Sequence, residues 1–405
     1  MARAKKDDAD DIFAQVAAQT GGEVVGETEK AANYYIDTGN LAINYCCSGR
    51  FINGGVPGGR LTEIYGPSAS SKSLLGTNLL HGCQKLGGIP ILIDSENAIN
   101  KDFIKKASHA DLNKIIRYTP ETLEKCFSVM YRAIDLVRSN KKYADKPIVI
   151  VYDSISVSPC AREFRETDLP EDYTKEQFKK IVGGNEQPGE RAKICSKELR
   201  KLNTVMEANN VSVVIMNQIR DKIGVMYGNP ETTAGGGNAL PFYASLRFRT
   251  QTQKKIEQKV KGLAKKKSIG INIKITNKKN RSVRPFIEVE NIPLYFEKGI
   301  NPLGGLLGAL LDADRLLASG AGNFKVKPEF ANGNEDYKFK SSMERNDVPI
   351  QVLLDCPALI DAESAEQVSE YLEPFKEAIE ATEDPDVEAF DAGEGDDEEM
   401  DSVLG

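Results

Sequence analysis

Residues 61–86 read LTEIYGPSASSKSLLGTNLLHGCQKL. An apolar run of strand length, 61–65, passes through a Ser-rich turn into a helical pattern of leucines, which is the layout of a phosphate loop. Along Gly66-Pro67-Ser68-Ala69-Ser70-Ser71-Lys72-Ser73, and on into the helix at Leu74, backbone N–H groups and the helix N-terminus surround phosphates. Lys72 then reaches the outer phosphates and the Ser73 hydroxyl meets Mg²⁺. One position departs from the pattern: the glycine expected just before the lysine is Ser71, so the backbone there carries a Cβ. Taken alone, the octapeptide also fits a plain strand–turn–helix connection.

Its surroundings decide between the two. GIPILID (88–94) and KPIVIVYD (146–153) are further apolar runs, separated by helical patterns such as ETLEKCFSVMYRAIDLV. VSVVIMN (211–217) follows the helix-like ERAKICSKELRKLNTVMEA. Strands alternating with helices predict an α/β domain with a mainly parallel sheet covered on both faces. In such a sheet, Asp153-Ser154 and Glu96 fall at strand ends on the same carboxyl edge as the phosphate loop. Asp153 is placed to act on Mg²⁺, and Glu96 to orient and deprotonate an attacking water. A lone acidic residue at a strand end usually forms a cap or turn. Several in register with a phosphate loop indicate nucleotide hydrolysis.

After Ala244 the pattern changes to hairpin strands (SLRFRTQT, IGINIKIT, PFIEVE) that extend the sheet. Residues 1–34 read as an N-terminal arm with one short apolar stretch, IFAQVAA, suited to docking on a neighbour. Residues 35–300 form the core, 301–375 a small C-terminal α/β lobe, and 376–405 an acidic, disordered tail.

The chain has 405 residues, 40% hydrophobic and 28% charged, an ordinary globular composition. No apolar run is long enough to span a bilayer and MARAKKDDADDIF lacks a signal-peptide core, so a cytoplasmic location is expected. Seven cysteines without CxxC spacing and only two histidines argue against a zinc site. The net charge of −7 hides its distribution: 383–405 carries eleven Asp and Glu with no Lys or Arg, which leaves the remainder at +4. Residues 254–285 hold twelve Lys and Arg against one Glu. A basic body with an acidic tail suggests an anionic partner and an internal competitor for it. The basic stretch also fits a solvated hairpin, and the tail a solubility device.

Residues 216–249, MNQIRDKIGVMYGNPETTAGGGNALPFYASLRFR, carry a strand end at Asn217-Gln218 straight into a long Gly- and Thr-rich loop. Loops of that length are functional or disordered. This stretch resembles the second DNA-binding loop of the RecA family almost residue for residue. IDTGNLAINYCCSGRFINGGVPGGRLTEIYGPSASSKS, LIDSENAI, the Lys279-Asn280-Arg281 segment and EKGINPLGGLLGALLD extend the likeness over about residues 35–310. The serine in the phosphate loop and divergence elsewhere look more like the tailed-phage, UvsX-type branch.

The resemblance implies an ATP- and Mg²⁺-dependent recombinase with a RecA-like core. It would form helical filaments on single-stranded DNA, pair homologous duplex DNA and meet single-strand-binding and mediator proteins. Gln218 would sense the γ-phosphate, Asn100 and Phe103 would hold the adenine, and Lys279 and Arg281 would reach the neighbouring subunit's γ-phosphate. Lys193, Ser196, Arg200, Arg220, Lys222, Gly235, Gly236, Gly237 and Asn238 would meet DNA, with Ile223 wedged between bases. Physics agrees: cations neutralise phosphates, glycines admit close backbone approach, and an apolar wedge unstacks bases. The chain departs from the family at an extra glycine in 235–237, at Pro241 in place of a lysine, and in a longer segment 162–189. A hexameric helicase motor and a RecA-like regulatory ATPase share the phosphate loop and remain the alternatives.

Overall fold

The computed structural model describes residues 15–17, 19–21, 32, 34–68, 70–97, 99, 101–161, 189–221, 231–233, 237–259, 266–320, 322–341, 348–383 and 387–391. The chain forms two units, Met1–Asn33 and Tyr34–Gly405. In the first, the described residues 15–17 and 19–20 are helical, and Thr20 Oγ1 donates to the Val16 carbonyl at 2.7 Å.

The second unit opens with β1 (Tyr35–Ile36), α1 (Leu41–Ser48) and β2 (Val56–Pro57), where the Asn40 side chain caps α1 by accepting from the Ile43 amide. The alternation read from the sequence follows: β3 (Leu61–Gly66), α2 (Lys72–Lys85), β4 (Ile89–Asp94), α3 (Lys101–Ser108), β5 (Ile116–Tyr118), α4 (Leu123–Arg138) and β6 (Ile148–Asp153). Next come α5 (Glu190–Asn209), β7 (Val211–Asp221), β8 (Glu231–Thr233), α6 (Ala239–Tyr243), β9 (Leu246–Lys259), β10 (Lys266–Asn280), β11 (Glu288–Tyr295) and β12 (Gly299–Ile300). The main sheet runs β12-β11-β10-β9-β3-β7-β6-β4-β5. The strands from β9 to β5 are parallel, and β10 to β12 are added antiparallel, as the hairpin pattern predicted.

Alternation explains why those strands read as unbroken apolar runs. Ile64, Leu92, Val149, Val151, Val214 and Met216 pack on one face with Leu74, Leu75 and Leu79 of α2. Leu61, Ile91, Ile150, Tyr152, Val213 and Ile215 pack on the other with Phe127 of α4 and Leu199 of α5. Both faces are therefore dry.

The C-terminal lobe holds α7 (Leu306–Asp312), a three-stranded sheet β13-β14-β15 (Leu316–Gly320, Asn323–Val326, Lys338–Lys340), α8 (Ile350–Asp355) and α9 (Ala365–Leu372). Its Leu307, Phe324, Leu353 and Val368 belong to the same apolar cluster as Ile64 and Leu79, so the boundary drawn at 301 does not separate two cores.

Within 376–405, read as disordered, two segments are structured. α10 (Lys376–Glu383) buries Ala378 and Ala381 against Ile256 and Tyr295, and β16 (Val387–Asp391) pairs antiparallel with β9, from Val387 opposite Gln258 to Asp391 opposite Lys254. Composition missed both, because α10 buries only Ala378, Ile379 and Ala381 along an otherwise acidic segment and β16 is held through backbone pairing. Residues 392–405 lie outside the described set, as do 162–188. Among the described residues, no helix is long and apolar enough to cross a membrane.

Candidate functional site

The parallel register brings the predicted chemistry to one edge. Gly66 at the end of β3 lies opposite Gln218 of β7, and Asp94 at the end of β4 lies opposite Asp153 of β6. Gly66 is required there: a Cβ would meet the Thr250 carbonyl oxygen at 2.4 Å. Ser70 Oγ ties the loop down through Thr250 Oγ1 (2.8 Å) and the Pro67 carbonyl (2.7 Å). Thr250, on β9, is a loop partner that sequence reading did not single out.

Ser71 takes φ 65 and ψ 20, the left-handed conformation that the missing glycine would adopt freely. The serine therefore accepts strain of about 1 kcal/mol. Lys72 Nζ lies along the loop, donating to the carbonyls of Gly66 (3.3 Å) and Pro67 (2.5 Å). Pro67 and Ser68 are exposed, Leu74 is buried in the core, and Ala69 lies outside the described residues.

Ser73 Oγ donates to Asp153 Oδ2 at 2.5 Å. Glu96 Oε1 accepts from Ser154 Oγ at 2.6 Å, and Ser154 is further held by Ser156 and Ser95. Burial pushes Asp153 up to about 6; the Ser73 hydroxyl and Lys72 oppose that shift, while Glu96 and Asp94 add to it. Asp94 is fully buried, with Oδ2 bonded by Arg117 (2.5 Å) and no described group bonding Oδ1. Arg117 also donates to Asn97 Oδ1 (3.0 Å) and so braces both sides of Glu96.

These residues fit Mg²⁺ with a nucleotide. A cation beside Ser73 and Asp153 would offset carboxylates that burial otherwise penalises. Among the described residues no group of three or more His, Cys, Asp or Glu could hold a metal alone, so phosphates and waters would have to supply most ligands. Of the two adenine candidates, Asn100 lies outside the described residues, and Phe103 sits on α3 without a described side chain.

On the predicted DNA side, β7 continues past Gln218 to Asp221 and returns through β8, with Ile219 opposite Thr233 and Arg220 opposite Thr232. The sequence reading ended the strand at Gln218 because the apolar run stops there, while the pairing with β8 is made through the backbone. Lys222, Ile223, Gly235 and Gly236 lie outside the described residues. Gly237 (φ +53) passes close to α5, where a Cβ would meet Ala192 Cβ at 3.4 Å, and Asn238 precedes α6. Lys193, Ser196 and Arg200 recur at helical spacing on α5, the first and last exposed. Arg200 Nε donates to the Tyr243 hydroxyl of α6 at 3.4 Å.

Lys279 and Arg281 stand elsewhere. In register, Lys279 lies opposite Arg247, and Arg247 opposite Glu63, near the start of β3. Lys279 Nζ donates to the carbonyls of Pro241 (2.7 Å) and Phe242 (2.9 Å), and Arg281 Nη2 to that of Phe242 (3.3 Å). Burial, then Arg281 and Arg247, pull the Lys279 ammonium down, against the opposing pull of Glu63.

The sequence reading passed over Glu63. It is fully buried, accepting from Asn217 Nδ2 (2.9 Å) and Arg247 Nε (2.5 Å), and the Arg247 guanidinium lies 4.7 Å from the Tyr65 ring centroid. A single charge in the apolar strand LTEIY was the available signal.

Comparison with known proteins adds the relatives. The family model for the RecA N-terminal domain matches residues 12–301. The RecA protein of Thermus aquaticus is 30% identical over 297 residues, 73% of this chain and 77% of that protein. That of Geobacter metallireducens is 37% identical over 268 residues, 66% and 70% respectively. A solved RadB recombinase covers 65% of this chain and 98% of its own at 17% identity, with a TM-score of 0.44.

Proposed function

This chain belongs to the RecA family of recombination and repair ATPases, and from that premise we propose that it polymerises on single-stranded DNA as a helical filament and exchanges strands with homologous duplex. In this reading ATP lies between subunits. Lys72 and the loop amides hold the phosphates, and Glu96 orients and deprotonates the attacking water. Gln218 reports the γ-phosphate to the β7–β8 ribbon. Lys193, Ser196, Arg200, Arg220, Lys222 and 235–238 bind DNA, with Ile223 as the wedge. Mg²⁺ at Ser73 and Asp153 would neutralise charge on the phosphate oxygens. Single-strand-binding and mediator proteins are the expected partners. A place in the tailed-phage branch rests on Ser71 and on divergence outside the shared core.

The observation that carries this reading is the separation of the two charged groups. Lys279 is level with Glu63, three residues before Gly66 and two strands away. That is about 10 Å along the strand and about 10 Å across, and Arg281 lies farther still. The pair is out of reach of its own phosphate loop and serves a second copy instead. A contact joining opposite edges of identical subunits is head-to-tail, and it generates open helices unless the rotation closes. Phe242, 67% exposed on α6 beside the pair, supports a neighbour at this edge.

Mixing Arg281→Ala with Lys72→Ala tests the reading. Each alone should lose DNA-dependent hydrolysis. Co-assembled, about a quarter of randomly formed interfaces join two intact halves and should recover turnover on that order. No recovery after co-assembly is shown independently counts against sites shared in trans. Negative-stain images with single-stranded DNA and ATP should show open filaments; closed rings would favour a helicase motor.

A further inference from the structure

We propose that Glu63 is a positioning residue that ties the nucleotide-facing end of β7 in one subunit to the cation pair that subunit presents to the next. The inference rests on the shared-site reading above. Glu63 stands three residues before the phosphate loop, so a defect there would ordinarily be expected in its own subunit's nucleotide site. Its side chain, however, leaves β3 on the face of Leu61, opposite the face where Ile64 packs on α2.

On that face its carboxylate joins two strands. Oε1 accepts from Asn217, the neighbour of Gln218, and Oε2 accepts from Arg247, which lies opposite Lys279. Arg247 bonds this buried anion, Lys279 lies among Arg247, Arg281 and Glu63, and α6 offers Lys279 and Arg281 carbonyl oxygens. Leaving a buried carboxylate half-paired is strongly unfavourable, so its two bonds hold or shift together. A movement of β7 at Gln218 is thereby felt at Arg247, and through it at the cation pair. Successive ATP sites along a filament would be linked through each subunit's interior.

The test is complementation in trans. Glu63→Gln keeps the size and the acceptor facing Asn217 but removes the charge facing Arg247. Uniform Glu63→Gln filaments should hydrolyse ATP about tenfold slower with DNA. Isolated subunits should bind a fluorescent ATP analogue within about twofold of the parent. Co-assembled with Lys72→Ala, whose Glu63 and cation pair are intact, Glu63→Gln subunits should recover hydrolysis at their own phosphate loops. A residue that merely held the sheet together would not be rescued this way. If Glu63→Gln does not fold, Arg247→Lys, which keeps the charge and loses the Nε bond and the stack on Tyr65, should show the same pattern. Parental hydrolysis in the uniform filament overturns the proposal. So does failure to recover when an Arg281→Ala and Lys72→Ala mixture does recover, which would assign Glu63 to its own subunit's site. Failure of both mixtures, with co-assembly shown by labelled subunits, removes the shared-site reading and this inference with it.

Discussion

At the carboxyl edge of the central sheet, Asp153 is pushed up to about 6 by burial, with Glu96 and Asp94 adding to the shift. At the amino edge, Lys279 is pulled down by burial beside Arg281 and Arg247. One edge gathers Asp153, Glu96 and Asp94 near Lys72 and Arg117. The other gathers Lys279, Arg281 and Arg247 with the single carboxylate of Glu63. The two edges carry opposite charge shifts, and in the proposed filament nucleotide at the first edge and a second copy's amino edge over it would act on both at once.

The harshest way to break the comparison is at the carboxyl edge. Glu96→Ala should lower DNA-dependent turnover by about 10³-fold while nucleotide binding persists, leaving long-lived filaments on DNA. Parental turnover in a steady-state phosphate-release assay would show that the base is another group.

Asp153 offers a sharper test because its effect reverses sign between stability and function. Its pKa is raised on folding, to about 6 from 3.8. The folded state therefore holds the proton more tightly, and the stability this contributes is fully present below about pH 4 and lost as pH rises through about 6. Asp153→Asn should thus stabilise the nucleotide-free protein by roughly 3 kcal/mol at pH 7 and by little at pH 4, while abolishing Mg²⁺-dependent hydrolysis. Urea melts at the two pH values would check it; equal effects at both would mean that charge is not the cause.

A smaller effect is expected where β16 lies along β9. Ending the chain at Glu383 keeps α10 and removes ten Asp and Glu residues, together with the strand beside Lys254 and Lys255. Single-stranded DNA should then bind about tenfold tighter at low salt, with the gain fading as salt rises. Unchanged affinity across the titration would reduce the tail to a solubility element. Smallest of all, Ser71→Gly should relieve the left-handed strain and raise stability by about 1 kcal/mol, read as a shifted urea midpoint.

The amino-acid sequence determined what contiguous backbone and strict alternation can encode. The loop between β3 and α2 was legible because a strand, a turn with a lysine and a serine, and a helix follow one another in one contiguous stretch. Asp153 and Glu96 were legible because runs such as IVIVYD and ILID mark where a buried parallel strand ends. Ser71 was visible as a departure, although its left-handed φ shows only in the folded loop. Tertiary structure alone decided the pairing of distant strands. Glu63 meets partners 154 and 184 residues away, and no local pattern specifies which polar groups such a register brings together. The same holds for Lys279 and Arg281, which follow the carboxyl-edge residues in the chain but lie across the sheet from them, since an antiparallel strand returns the chain to the edge it left. The strand at 387–391 was hidden for a related reason: its contact with β9 is made by main-chain hydrogen bonds, which any side chains permit and no composition announces.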